Sequence, residues 1–172
     1  MEISLCRMTR ELCHQFFREH ESDPAMYEDE SQFQPYVYSE EAADSFFERK
    51  QVPGRLELVA MMDGRTVGHV QLKNIDTEKR ECEFGFHMQN DAVKGLGYGT
   101  QIARLALEYA FEHLDVDAVH AYTILKNTRS QRVLEKVGFR CICEKDGWKH
   151  YRFMRQKSRL AKGCRCQDVN DD

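Results

Sequence analysis

The chain has 172 residues, 41% hydrophobic and 31% charged, which fits one domain with a normal core and shows no compositional break for a second. A net charge of −4 excludes the basic face of a nucleic-acid binder, and no run of eighteen apolar residues offers a membrane span. Seven cysteines, with no signal-peptide pattern over residues 1–7, predict reduced thiols and a cytoplasmic location.

Residues 3–7 alternate as an edge strand, and Thr9 is the expected N-cap of a helix whose apolar face carries Leu12, Cys13, Phe16 and Phe17. Residues 20–40 contain Pro24, Pro35, Tyr27, Phe33, Tyr36 and Tyr38, and predict a long structured loop with short helical pieces. Ser39, followed by Glu40 and Glu41, starts a second helix that runs to about Lys50. Residues 56–62 and 66–74 predict two strands joined at Asp63-Gly64, and 82–88 a third. A helix from about Gly97 carries the stripe Ile102, Leu105, Ala106, Tyr109 and Ala110. Residues 116–125 predict a buried strand, and 128–137 a helix with Val133, Leu134 and Val137 inward. Residues 139–144 and 149–154 close the pattern as a hairpin around Asp146-Gly147. The whole predicts an α+β domain over residues 1–155, a mixed sheet flanked by helices, followed by a flexible tail over 156–172.

Charge is unevenly placed. Between Glu19 and Glu48 stand ten acidic residues and no Lys or Arg. Such a run is either a solvated face or an electrostatic funnel for a cation.

The segment with most chemical content is Lys94-Gly95-Leu96-Gly97-Tyr98-Gly99-Thr100. Closely spaced glycines let backbone pass near a ligand, and free N–H groups at a helix start attract phosphate. The G-x-G-x-G spacing, set apart from the preceding strand, fits neither the Rossmann fingerprint nor the P-loop. About thirty residues on come Asn127-Thr128-Arg129-Ser130 and then Gly138-Phe139. The null alternative makes Asn127 or Thr128 a helix cap and Gly138 a helix-ending glycine.

The two segments together resemble the GCN5-related N-acetyltransferase (GNAT) family, with Lys94, Gly97 and Gly99 in its basic-x-x-G-x-G pattern. The resemblance implies a central twisted mixed sheet flanked by helices, acetyl-CoA as co-substrate, and direct acetyl transfer to a primary amine in a ternary complex. It implies cofactor binding by Met88, Lys94, Gly95, Leu96, Gly97, Tyr98, Gly99, Thr100, Asn127, Ser130 and Arg132. Arg129 and Arg132 suit a phosphate, or are solvated helix arginines. Glu83 is the first candidate for the base, or part of a structural salt bridge. His87 is the second, and Ser130 could serve the departing sulfur. Tyr36 and Tyr38, with Trp148 and Tyr151, are candidate walls of an acceptor site, or packing residues.

The pattern departs from the family at Leu134, where many members carry a tyrosine acid four residues before the Gly-Phe pair. A leucine there resembles the subgroup that includes ribosomal-protein N-terminal acetyltransferases. The acceptor is therefore expected to be a small cationic amine or a protein N-terminus. Loss of the tyrosine also keeps open a CoA-binding sensor or partner module without turnover. The family often dimerises, so a homodimer is compatible. No metal is expected: Cys141-x-Cys143 and Cys164-x-Cys166 lack the gap of zinc-ligand pairs, the first pair reads as small core residues of a strand, and the second falls in the tail.

Overall fold

The computed structural model describes residues 2–156; the expected tail lies, from residue 157 on, outside them. Seven strands form one sheet in the order β1-β2-β3-β4-β5-β7-β6. They are β1 (Ile3–Arg7), β2 (Leu56–Met62), β3 (Arg65–Asp76), β4 (Glu81–Met88), β5 (Ala118–Ile124), β6 (Arg140–Lys145) and β7 (Trp148–Met154). The helices are α1 (Arg10–Arg18), α2 (Glu40–Lys50), α3 (Tyr98–His113) and α4 (Thr128–Val137), with short 3-10 turns at Pro24–Met26, Glu30–Gln32 and Asp91–Val93. Among the described residues, no helix is long and apolar enough to cross a membrane.

Local chemistry starts the first two helices as expected. Thr9 Oγ1 accepts from the Leu12 N–H at 3.2 Å, and Ser39 Oγ from the Ala42 N–H at 3.1 Å. Each such cap contributes ~1 kcal/mol.

Alternation along β2 then sorts side chains between two layers. Leu58 and Ala60 join the large core under α3, with Val70, Phe84, Ile102 and Ala106. Val59 faces the other way and packs with Phe16, Phe17 and Ala43 of α1 and α2. That second layer also buries a polar group: His69 Nε2 lies 2.5 Å from Glu57 Oε2, and Arg55 bonds the same carboxylate. Burial alone would push the Glu57 carboxyl up, but the His69 and Arg55 contacts outweigh it and hold it below its usual range.

One break in the sheet creates the site. β4 and β5 are parallel, yet they pair only from Glu81–Ala118 to Phe84–Ala121. β4 continues to Met88 and β5 to Ile124 with no ladder between them. Both faces of this wedge, and the β4 edge beyond Phe84, are available to a ligand.

Two expectations need correction. Val116 precedes β5 rather than opening it, its N–H bonded to the Leu114 carbonyl at 2.8 Å. Cys141 and Cys143 are exposed, not core, because β6 is the sheet edge and every one of its residues is exposed. Cys164 and Cys166 lie outside the described residues.

Candidate active site

The larger of two cavities, about 510 Å³, lies between the glycine turn and the first turn of α4. Its glycine wall follows from backbone geometry. Gly97 caps α3 in the left-handed region, at φ 83°, and supplies no side-chain hydrogen bond. No acidic residue stands in the first turn either. A helix start without its usual polar cap keeps its N–H groups and positive dipole end for an external anion. At Gly95 and Gly97, nothing lies within 4 Å of where a Cβ would sit. Gly99 is the close-packed member: a Cβ there would meet the Phe86 ring at 3.4 Å and Val133 at 3.6 Å.

The smaller cavity, about 260 Å³, opens on the other side of the wedge. Gln71, Lys73, Glu83, Tyr122, Leu134 and Trp148 contribute to its wall. The two cavities share Met26, Phe86, His87, Asn127 and Ser130. These five residues form the waist between the two cavities.

Asn127 does two things at that waist. Its Oδ1 accepts from the Ser130 N–H at 3.1 Å, capping α4, while the residue lines both cavities. The cap and binding readings of the sequence therefore coexist. His87 carries an imidazole stacked on His69, with centroids 6.1 Å apart. Burial first, then the nearby His69 and His20, lower its pKa to about 4. It is neutral at pH 7, a hydrogen-bonding group rather than a cation.

Glu83 lines the smaller cavity only. Its Oε1 accepts from Asn74 Nδ2 at 2.8 Å, and Lys73 Nζ lies 3.6 Å from Oε2. The salt-bridge reading is thus realised, and the same carboxylate still faces the cavity.

The remaining sequence candidates divide. Met88, Lys94, Gly95, Gly97, Gly99, Thr100 and Ser130 line the larger cavity. Leu96 is 59% exposed and Tyr98 packs toward the core, so neither side chain is in that wall. Arg132 is exposed and outside both walls; Arg129, one turn earlier, is the arginine that lines the larger one. Lys94 is not a free cation. Its Nζ sits 2.8 Å from Asp23 and 2.6 Å from Asp91.

Tyr36 and Tyr38 line neither cavity. Tyr36 packs on Phe17 at 5.2 Å, and the Tyr38 hydroxyl lies 2.8 Å from His14 Nδ1. Of their two expected readings, acceptor wall or packing, packing is realised: both rings are half-buried against α1 and α2. Trp148 does line the smaller cavity, whereas Tyr151 is fully buried and donates to Glu135 at 2.9 Å. Sequence reasoning missed His20, Asp23, Met26 and Tyr27 of the larger wall. The signal was present in the acidic run, whose first part folds across this cavity.

The sequence matches the acetyltransferase (GNAT) domain over residues 3–140. The chain belongs to the GNAT acetyltransferase family. Acetyltransferases of this family use acetyl-CoA as the acyl donor, and the open glycine turn and uncapped α3 start fit its phosphates. The candidate ribosomal N-acetyltransferase YdaF of Bacillus subtilis is 31% identical over 84 residues, 49% of this chain and 45% of its own. The spermidine N(1)-acetyltransferase of Escherichia coli K12 is 26% identical over 106 residues, 62% and 56% of the two chains. This GNAT chain thus spans about half the length of the curated relatives it matches. Solved structures resemble it more widely. Spermidine N-acetyltransferase from Vibrio cholerae, in complex with CoA and spermine, superposes with a TM-score of 0.72 at 17% identity, covering 89% of this chain and 95% of that one. The Campylobacter jejuni N-acetyltransferase PseH with acetyl coenzyme A gives 0.67 at 19%, covering 90% and 100%. At these identities the likeness is one of fold.

Proposed function

We propose that the protein is an acetyl-CoA-dependent N-acetyltransferase acting on a small primary amine by direct attack in a ternary complex. The observation that carries this is the waist: two cavities of unequal size meet in the β4–β5 wedge at His87, Asn127 and Ser130. The donor's phosphates belong at the glycine turn and α3 N-terminus, and its arm runs along Asn127 into the waist. The amine belongs in the smaller cavity. Acetyl-CoA supplies the acyl group as an activated thioester.

The chain's own residues then have three tasks. A backbone N–H of the unladdered stretch of β4, at His87 or Met88, donates to the thioester oxygen. Glu83 holds the incoming ammonium and receives its proton, through water where the amine is short. A deprotonation partner is needed because an amine with pKa near 10.4 is neutral only about once in a thousand at pH 7, a deficit of roughly 4–5 kcal/mol. Ser130 offers a hydroxyl to the departing sulfur, since Leu134 provides none. His87, neutral and at the waist, orients the reacting groups by hydrogen bonding.

The modest volume of the smaller cavity and its Glu83 carboxylate support a small amine over a folded protein terminus. The relatives named for spermidine acetylation point the same way, and the relative named for ribosomal acetylation keeps an N-terminal peptide as the competing acceptor. Leu134 also favours one other reading, a CoA-binding sensor without turnover.

Calorimetric titration with acetyl-CoA, followed by thiol release over a panel of polyamines, other small amines and Ser- or Ala-starting peptides, tests the proposal. Micromolar binding with thiol release on a small amine is expected. Binding with silence across the panel would favour the sensor, and absence of binding would remove the assignment.

A further inference from the structure

The larger cavity carries a feature that acetyl transfer does not call for: a carboxylate sits among the cations facing the phosphates. Asp23 Oδ2 lies 2.8 Å from Lys94 Nζ in the glycine turn and 3.7 Å from Arg129 Nη1 in the first turn of α4. The contact is sheltered: the Asp23 side chain is 23% exposed and that of Lys94 12%. The other carboxylate oxygen, Oδ1, accepts from the Ala25 N–H at 3.0 Å, which fixes the rotamer. A second contact follows, the exposed Glu30 to Lys126 at 3.2 Å, so residues 23–30 are held at both ends, at Lys94 and beside Asn127.

The geometry points to Asp23 as a built-in competitor for the anionic end of the cofactor, strapping residues 23–30 across the cleft until phosphate takes Lys94 and Arg129. This rests on the cofactor placement proposed above. A pyrophosphate carries more charge and more acceptor oxygens than one carboxylate, so it wins the two cations when bound. The Asp23 carboxyl is held below its usual range: burial opposes this, and the Lys94 bond, the Ala25 N–H and the Arg129 charge outweigh it. It is therefore charged and competing at neutral pH.

The strap also reaches the acceptor side. Met26 lines both cavities, and Glu28 Oε1 stands 3.0 Å from where a Cβ at Gly147 would lie, in the turn before Trp148. Release of Asp23 by the cofactor would thus reach Met26 and Glu28 on the acceptor side.

Asp23→Asn tests this, because asparagine keeps the acceptor for the Ala25 N–H and removes the charge. CoA and pantetheine, which share an arm but not the phosphates, are titrated by competition calorimetry against wild type and variant. The variant should bind CoA about three- to ten-fold more tightly, with pantetheine unchanged. In a Lys94→Gln background the gain should shrink, because one contested cation is gone. Equal weakening of both ligands would show that Asp23 only props the wall, and equal affinities throughout would show that it does not compete; either overturns the strap. If wild type binds no CoA, the proposed function and the strap fall together. If wild type binds CoA and the variant shows no phosphate-dependent gain, the strap alone falls.

Discussion

The larger cavity takes most of its wall from three short stretches, residues 20–27, 93–100 and 127–133, whereas the smaller collects side chains from β3, β4, β5, α4 and Trp148 of β7. The glycine part of the larger wall is built from backbone: a left-handed Gly97, open glycines and a helix start without a polar cap. The smaller cavity is built from side chains brought together by strand register, such as Lys73 opposite Glu83. A backbone site demands particular residue types at fixed spacing, and a register-built site does not. Donor binding should therefore respond to glycine changes, and acceptor chemistry to single side chains.

The largest effect expected from that contrast is at Glu83. Glu83→Gln should lower kcat by about 100-fold or more, the usual size of a lost general base, with the acetyl-CoA Kd within about twofold. Stopped thiol-release assays and calorimetry on the same preparation check both halves. Next is Gly97→Ala, which forces a Cβ into the left-handed region with no clash to relieve. It should cost about 1–2 kcal/mol of stability by denaturant unfolding.

A smaller effect comes from His87. Its folded pKa of about 4 lies below the ordinary 6.5, so the unfolded chain takes up the proton first as pH falls. His87 therefore contributes a stability loss that grows from pH 6.5 down to about 4 and is absent above 6.5. His69, His20, Glu57 and Lys73 act on it and are present in both proteins, so the comparison is with His87→Gln. The urea midpoint should fall less between pH 7.5 and pH 4.5 in that variant than in wild type. Smallest is Tyr38→Phe, which removes one bond to His14. It should cost about 1 kcal/mol of stability and leave kcat and KM within about twofold.

The same contrast explains what the sequence made legible. The seven strands, four helices and both CoA-side segments were readable because each depends on local rules: caps at Thr9 and Ser39, alternation in β2, a stripe on α3. Trp148, Tyr36 and Tyr38 were each open to a wall or a packing reading, and Trp148 lines the smaller cavity while the two tyrosines pack. Nothing local distinguishes an aromatic that lines a cavity from one that stacks on Phe17 or bonds His14. Lys94 was expected among the cofactor-binding residues, and only the folded loop reveals Asp23 from 71 residues away at its ammonium. Arg129 and Arg132 differ by a single helical turn, so the choice between them depends on α4's rotation rather than on residue type. The acidic run proved mixed. Asp23 pairs with Lys94 in the wall of the larger cavity, Glu30 with Lys126 beside Asn127, and Asp44 and Glu48 with Arg10, which lines neither cavity.

In the function proposed above, donor and acceptor occupy separate cavities joined at one waist. Acetyl-CoA affinity in two variants, one from each cavity, tests it most directly. Gly99→Val adds bulk where a Cβ already meets Phe86 at 3.4 Å, and Trp148→Ala empties part of the smaller wall. The account predicts about tenfold or greater weakening of acetyl-CoA in Gly99→Val and a change within twofold in Trp148→Ala. Equal weakening in both, or a loss confined to Trp148→Ala, would contradict it.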